Sequence, residues 1–219
     1  MPSEHLWLSH GHEQPLDQIV TRFQAHFQAY SNWVEAEYAP GKPAAEMCLA
    51  LIERRREVLD ELAQAQPVLC LCRADPRFAN VIQRPDGRIG LIDWEDSGLR
   101  DPARDLADIL THPNQEDLVA PDAWQAFLQP YLAERAARDA GLIRRAHLYQ
   151  ALFPIFWLTV IINQGLRLAE AGRWENWMIN GLPPNQRLRR YLARALAWPQ
   201  ADFAPELKRL EETHFFPSS

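Results

Sequence analysis

Basic tracts, cysteine and long apolar runs are scarce in this sequence, and each shortage excludes a class of protein. No long basic tract and no stripe of basic and aromatic residues occurs, and the net charge is −6, so nucleic acid is not an expected partner. The three cysteines, Cys48, Cys70 and Cys72, are odd in number and lack zinc-site spacing. Cys70 and Cys72 alternate on one strand face, which predicts small core residues in a reducing compartment.

Membrane and export signals are also lacking. The most apolar run, Leu152–Ile162, is about half the length needed to cross a bilayer and contains Pro154. Met1–His12 has no basic flank followed by an apolar core, so a signal peptide is not predicted. We therefore expect a cytoplasmic protein with no membrane partner.

What the sequence does contain is typical of a folded globule. Hydrophobic residues make up 47% of the 219 residues, and eight are tryptophan. A chain of this length can bury one sizeable core, which favours a single domain.

Helical periodicity dominates both flanks of the chain. An apolar stripe runs through the first predicted helix: Leu16, Ile19, Val20, Phe23, Phe27, Tyr30 and Val34. The second predicted helix, Ala44–Ala65, contains the arginine run Arg54–Arg56, which we expect to be solvated and paired with neighbouring acidic residues. Further helices are predicted over Pro102–Leu110, Ala123–Asp139 (kinked or divided at Pro130), Leu142–Ala171 (kinked near Pro154), Asn185–Ala197 and Pro205–Glu212.

The stretch Pro67–Leu110 has a different pattern. Two apolar runs, Val68–Cys72 and Ile89–Ile92, lead to Asp75 and Asp93. Asn80 lies between them and precedes a predicted hairpin, in which a Pro85-Asp86-Gly87 turn pairs Val81–Gln83 with Arg88–Ile92. This order is expected to bring two carboxylates and a carboxamide to the same end of a small sheet.

Such a set of side chains suits phosphoryl transfer. That reaction needs an anion to orient the acceptor hydroxyl and hard oxygen ligands to hold Mg²⁺ against nucleotide phosphates. Asp75 suits the first task, and Asn80 and Asp93 suit the second. The alternative is that all three cap loops, because Asp and Asn are common where strands end.

The motifs resemble the catalytic core of the aminoglycoside phosphotransferase and choline kinase-like family, relatives of the protein kinases. The family has three motifs, with a hairpin between the first and the second. Residues 73–80 match the motif H-G-D-x-x-x-x-N, residues 92–94 match I-D-W, and residues 100–107 match G-D-P-x-x-D-L-A. The resemblance implies Asp75 as catalytic base, Asn80 and Asp93 as Mg²⁺ ligands, and Asp105 as a buried brace of the catalytic loop. Asp101 also has a physical interpretation, as the cap of a helix that opens with proline.

The sequence departs from the family pattern at three positions. Arg73 and Ala74 replace the family's His-Gly, and Arg100 replaces a glycine. Arg73 is a candidate contact for a carboxylate or a phosphate in this loop, or a residue that disrupts it.

The resemblance implies a protein-kinase-like C-terminal lobe alone, mainly α within the α+β class, with helices around a small antiparallel catalytic hairpin. We expect a helical lead-in (1–66), a catalytic core (67–110) and a helical subdomain (111–219). The family's N-terminal β lobe is expected to be absent, since no G-x-G-x-x-G occurs and the only lysines, Lys42 and Lys208, lie in a predicted turn and helix. ATP is therefore expected to bind weakly.

Two functions are compatible with these observations. The first is a small-molecule O-phosphotransferase that transfers the ATP γ-phosphoryl group to a hydroxyl. Glu95, Asp96 and Asp108 would favour a cationic acceptor, although capping or solvated roles explain them equally well. The second is a non-catalytic binding or dimerisation module. Expected partners are a separate N-terminal lobe or a second copy of the chain.

Overall fold

The structure, a computed structural model, describes residues 16–114, 118, 121–173, 177–178, 181–197 and 214–217. These residues are mainly helical with a few short antiparallel strands, which confirms the predicted class. The predicted lead-in 1–14 and helix Pro205–Glu212 lie outside them. The helices are α1 Leu16–Glu37, α2 Lys42–Glu53, α3 Arg56–Gln64, α4 Pro102–Thr111, α5 Pro121–Ala136, α6 Leu142–Glu170 and α7 Pro184–Leu196. The strands are β1 Cys70–Cys72, β2 Val81–Gln83, β3 Ile89–Leu91 and β4 Gly98–Arg100.

The strands form two separate two-stranded sheets within the described residues. Strands β2 and β3 form the predicted hairpin, with Ile82 opposite Gly90, and Gly87 takes a left-handed φ of +79° in the connecting turn. Strand β1 pairs instead with β4, with Leu71 opposite Leu99. The expectation of one small sheet was therefore wrong, because β1 and the hairpin have different partners.

The described residues divide into two compact units, which we call the β unit (within 62–150) and the helical unit (within 16–61 and 151–217). The predicted boundaries at 66 and 110 stay a prediction. In the helical unit the core is apolar and aromatic, and it includes most of the predicted α1 stripe: Phe23, Phe27, Tyr30 and Val34 are buried. Further core residues come from α2, α6, α7 and the C-terminal segment, among them Cys48, Leu51, Leu158, Ile162, Leu188, Tyr191, Phe215 and Phe216.

The arginine run corrects a prediction about the second helix. The helix is interrupted between Glu53 and Arg56, and Arg55 at the interruption is 1% exposed rather than solvated. Its guanidinium donates hydrogen bonds to the main-chain carbonyls of Ala151 and Ala195. Arg56 behaves as expected, since it is exposed and pairs with Glu53 at 2.7 Å.

Two prolines lie inside continuous helices, Pro130 in α5 and Pro154 in α6, so Pro130 does not divide its helix.

Helix α6 has 29 residues, and by length and composition alone it could cross a membrane, unlike the short run considered above. Of its most apolar 18-residue window, 56% is buried, as is common for a core helix of a globular protein.

Candidate functional site

The loop after β1 is held by the first turn of α4. The carboxylate of Asp105 accepts hydrogen bonds from the main-chain amides of Arg73, at 2.9 Å, and Ala74, at 3.4 Å. Burial raises the pKa of Asp105, although these two amide bonds oppose that shift. The carboxylate thus lies where the predicted brace of the loop would be.

Arg73 folds back into the same loop. Its side chain is 8% exposed, and its Nη2 donates to the main-chain carbonyl of Asp75 at 2.5 Å. Its Nε is buried with no hydrogen-bond partner among the described residues. The structure thus shows a loop contact, and a contact of Arg73 with phosphate stays a prediction.

Two residues of the site have left-handed backbone conformations, with φ of +65° at Ala74 and +63° at Asp93. Aspartate tolerates this region because its short polar side chain forms local hydrogen bonds, whereas alanine has no such compensation. At Ala74 the family has glycine, the residue that adopts this φ without strain. Ala74 therefore holds its left-handed backbone at some cost in strain.

Arg77 joins the two predicted aspartates. Its Nε and Nη2 contact Asp75 Oδ2 at 2.7 and 2.6 Å, and the same Nη2 lies 3.6 Å from Asp93 Oδ2. All three side chains are between 23% and 33% exposed, so solvent reaches the group. One guanidinium therefore holds both carboxylates close together.

Asn80 completes the group. It ends a 3₁₀ turn, is 7% exposed, and donates from Nδ2 to Asp93 Oδ2 at 3.1 Å. Its own main-chain carbonyl accepts from the amide of Ile92 at 3.0 Å, which ties the turn to the end of β3. Asp75, Asn80 and Asp93 are therefore brought together, as the sequence predicted.

His112, at the end of α4, faces the same aspartate. Its Nε2 lies 3.6 Å from Asp75 Oδ1, and its Nδ1 accepts from the amide of Asn114 at 3.1 Å. Burial lowers the pKa of His112 to about 4; the charge of Asp75 opposes this shift and that of Arg77 adds to it. The ring is therefore neutral near pH 7, and because Nδ1 accepts, Nε2 carries the hydrogen that faces Asp75.

Behind the loop, Asp101 has two functions in the fold. It caps α4 as predicted, accepting from the amide of Ala103 at 3.0 Å with Pro102 at the first helical position. It also accepts two hydrogen bonds from Arg145, at 2.7 and 3.1 Å, and Arg145 in turn binds Asp139. These three charged side chains are all at least 95% buried.

The donor set near Asp93 fits magnesium. Carboxylate and carboxamide oxygens are the hard ligands that Mg²⁺ prefers, and it commonly takes one or two of them from the protein and the rest from phosphate and water. The described residues contain no group of three or more His, Cys, Asp or Glu placed to hold a metal.

Three residues of the site were missed from the sequence: Arg77, His112 and Arg145. Arg77 had a usable signal, since a cation two residues after a candidate base lies within reach of it. His112 and Arg145 had none, because their partners are 37 and 44 residues distant in the chain.

The chain was compared with curated proteins, with solved structures and with models of protein families. No curated protein and no solved structure matches it. The model of the phosphotransferase enzyme family matches residues 12–150, more than half of the 219 residues and all of the site described above. This chain belongs to the phosphotransferase enzyme family.

Proposed function

We propose that this chain is the kinase-like catalytic lobe of a small-molecule O-phosphotransferase, which transfers the γ-phosphoryl group of ATP to a substrate hydroxyl. One observation supports this above the others. The Asp75 and Asp93 carboxylates contact one guanidinium, at 2.6 and 3.6 Å, and Asn80 donates to Asp93 at 3.1 Å. Loop caps scattered over a surface would not meet in this way.

In this proposal Asp75 is the general base. Its carboxylate accepts the proton of the acceptor hydroxyl, and the neutral His112 ring faces the other oxygen without supplying a competing charge. A positioned base typically contributes 10²–10⁴-fold to the rate, provided that the substrates are held near it. Asp105 and Arg73 fix the loop that carries the base.

Asn80 and Asp93 would hold Mg²⁺. When bound, the metal neutralises charge on the nucleotide phosphates. Arg77 contacts Asp93 Oδ2, the same oxygen that faces Asn80, so the guanidinium and the metal compete for one carboxylate. Arg77 thereby keeps the two aspartates together in the absence of nucleotide.

The acceptor is proposed to be a hydroxylated cation. Glu95 and Asp96 are exposed and follow Asp93 closely in the chain, so they would add negative charge near the site, whereas Asp108 is buried and is less suited to that role. Affinity for ATP is expected to be weak, because the sequence contains no G-x-G-x-x-G and, within the described residues, its lysine Lys42 lies on helix α2 and not on a strand. A separate polypeptide with a β lobe would restore those contacts.

The direct test is calorimetric titration of Mg²⁺–ATP into the purified chain and into Asp93→Asn. Asparagine is chosen because it tolerates the left-handed backbone of this position, so that the loss of charge is not confounded with strain. We expect weak binding that Asp93→Asn abolishes. The matched control is Asp86→Asn, an aspartate in the turn of the same hairpin that pairs only with the neighbouring Arg88 in the described contacts.

The control should bind like the original chain. Equal binding by Asp93→Asn would contradict the metal assignment, and equal loss in Asp86→Asn would show that the effect is one of hairpin stability.

A second candidate function, a dimerisation module, is supported by the surface of the hairpin. Both strands expose large apolar side chains, including Ile82, Ile89 and Leu91, and the described residues contain no third strand beside them. Exposed apolar patches commonly mark association sites. The partner in this proposal is a second copy of the chain.

A further inference from the structure

The two cysteines of β1 form a site that phosphoryl transfer does not use. Alternate residues of a strand point to one face, and the sulfurs of Cys70 and Cys72 lie 3.7 Å apart. Cys72 is 3% exposed, while Cys70 is only partly buried and thus differs from the core residue that the sequence predicted. One thiol of the pair is therefore within reach of solvent.

A cation, Arg135, lies near Cys70. Arg135 of α5 acts electrostatically on Cys70, and its Nε and Nη2 are buried with no hydrogen-bond partner among the described residues. The pKa of Cys70 is lowered to about 7, first by the hydrogen bond with Cys72 and then by Arg135. Burial and the carboxylates of Asp105 and Asp101 oppose this shift.

The groups around Cys72 act in the opposite direction. Its pKa is raised by the hydrogen bond with Cys70 and by burial, so Cys72 keeps its proton while Cys70 is a thiolate for much of the time at neutral pH. Tyr131, also on α5, is a further titratable neighbour, and burial raises its pKa to about 12, so it stays neutral. A thiolate beside a protonated thiol is the arrangement that thiol–disulfide exchange requires.

We propose that Cys70 and Cys72 are a redox modification site, which closes to an intramolecular disulfide when the chain meets a small-molecule disulfide such as oxidised glutathione.

The reaction is balanced in two exchanges. The Cys70 thiolate attacks one sulfur of oxidised glutathione, forming a mixed disulfide and releasing a glutathione thiolate, which takes up a proton. Cys72 then loses its proton and attacks the Cys70 sulfur, releasing the second glutathione. Two protein thiols are oxidised and one glutathione disulfide is reduced to two thiols.

Strand geometry makes such a bond easy to reverse. Residues two apart in a strand have Cα atoms about 6.7 Å apart, since each residue advances about 3.3–3.4 Å. Disulfides most often span about 5.5–6 Å between Cα atoms and seldom more than about 6.8 Å, so closure here pulls β1 shorter and strains the bond, and strained disulfides are readily reduced. This favours a switch over a permanent crosslink.

The strain would be transmitted to the loop that carries Asp75. Cys72 pairs with Gly98 of β4, and its Sγ lies 3.5 Å from the carbonyl of Arg100. The next residue, Arg73, donates its amide to Asp105. Shortening β1 should therefore weaken that amide bond. The formation of the disulfide does not depend on the proposed phosphotransferase function, so an experiment can contradict either proposal without contradicting the other.

The experiment incubates the native chain with oxidised glutathione, blocks free thiols and measures mass. We expect the tryptic peptide 57–73, which contains both cysteines, to lose two hydrogens, while Cys48, fully buried, stays reduced. In Cys72→Ser, Cys70 should instead retain one glutathionyl group. Hydrogen exchange at the amide of Arg73 should rise in the oxidised chain and return on reduction.

Matched arginine variants test the electrostatic part. Arg135→Leu should slow the first exchange severalfold, because less Cys70 is ionised. Arg138→Leu, an exposed arginine shortly after the same helix, should not. If the first exchange is equally fast in the original chain, Arg135→Leu and Arg138→Leu, then Arg135 does not contribute to the reactivity of Cys70. If native chain keeps both thiols in excess oxidised glutathione, or keeps a stable glutathione adduct on Cys70, the proposal is wrong.

Discussion

Ala74 occupies a backbone conformation that costs an L-residue roughly 1–2 kcal/mol. Glycine removes that cost, but it also increases the conformational entropy of the unfolded chain, which lowers the free energy of unfolding by about 0.4–1 kcal/mol. We therefore predict that Ala74→Gly raises the free energy of unfolding by about 0.5–1 kcal/mol, measured by urea denaturation at unchanged slope.

Ala79→Gly is the control for this variant. Ala79 lies in the same loop at an ordinary negative φ within a 3₁₀ turn, so glycine should lower the free energy of unfolding there. If Ala74→Gly also destabilises the chain, the left-handed backbone of this loop is not strained.

A second residue, His112, should make stability depend on pH. Its pKa falls from 6.5 to about 4 on folding, so between these values the unfolded state binds a proton that the native state does not. Stability is then fully present above about pH 6.5 and is lost as the pH falls toward 4, by at most about 1.4 kcal/mol per pH unit.

His112→Gln should remove this component, and the difference between variant and original chain isolates it, because other titrating groups cancel. The measurement is urea denaturation at several pH values between 4 and 7.5. If the free energy of unfolding depends on pH in the same way in His112→Gln and in the original chain, the pKa of His112 does not change on folding.

At the scale of elements, the start of α4 depends on Arg145. This arginine is the described partner of two buried carboxylates, Asp101 at the cap of α4 and Asp139 before α6. Removing one member of a buried ion pair typically costs about 3–5 kcal/mol, because an uncompensated charge remains. We predict a loss of that size for Arg145→Met, measured as the free energy of unfolding.

The neighbouring Arg144 provides the control, since it is exposed on the same turn of α6. Arg144→Met should change the free energy of unfolding by about 0.5 kcal/mol or less. A small loss in Arg145→Met would show that the ion pairs of Arg145 do not stabilise the start of α4.

Elements with local signals were predictable, and those that depend on distant partners were not. The β2–β3 hairpin follows from alternating apolar residues around a turn containing Gly87. Strand β4 has three residues, and its partner β1 lies 26 to 30 residues earlier, so no local pattern indicates it. Arg55 was misjudged for the same reason, because its acceptors, Ala151 and Ala195, are 96 and 140 residues away.

The residues of the site likewise divide into those that a sequence pattern indicates and those that only the three-dimensional structure reveals. Asp75, Asn80 and Asp93 could be found because their order along the chain matches a family pattern, and Asp101 because cap and proline are adjacent. The left-handed backbone of Asp93 carries no composition signal. Whether Arg73 would brace the loop or disrupt it depended on the position of a single guanidinium nitrogen, which only coordinates supply.

For the whole molecule, the exposed hairpin predicts association between copies of the chain. Ile89 is 60% exposed on β3, and a strand edge with apolar side chains is prone to pair with another chain. We expect sedimentation velocity to show a mass that rises with concentration, and Ile89→Lys to suppress the rise.

Ile143→Lys is the matched control, since Ile143 is 43% exposed but lies on a helix. A chain that stays monomeric at all concentrations would count against the dimerisation module and leave the phosphotransferase proposal unaffected.

The division into two sheets also bears on where insertions can be accommodated. The chain passes from one sheet to the other through Arg73–Asn80, and this crossing carries Asp75 and Asn80, the first linked to Asp93 through Arg77 and the second bonded to it directly. One extra residue between Asp75 and Asn80 would rotate one of them away. The Pro85–Gly87 turn, by contrast, joins strands that are already paired, and lengthening such a loop costs little. Length variation among relatives should therefore collect at the hairpin tip and spare the crossing.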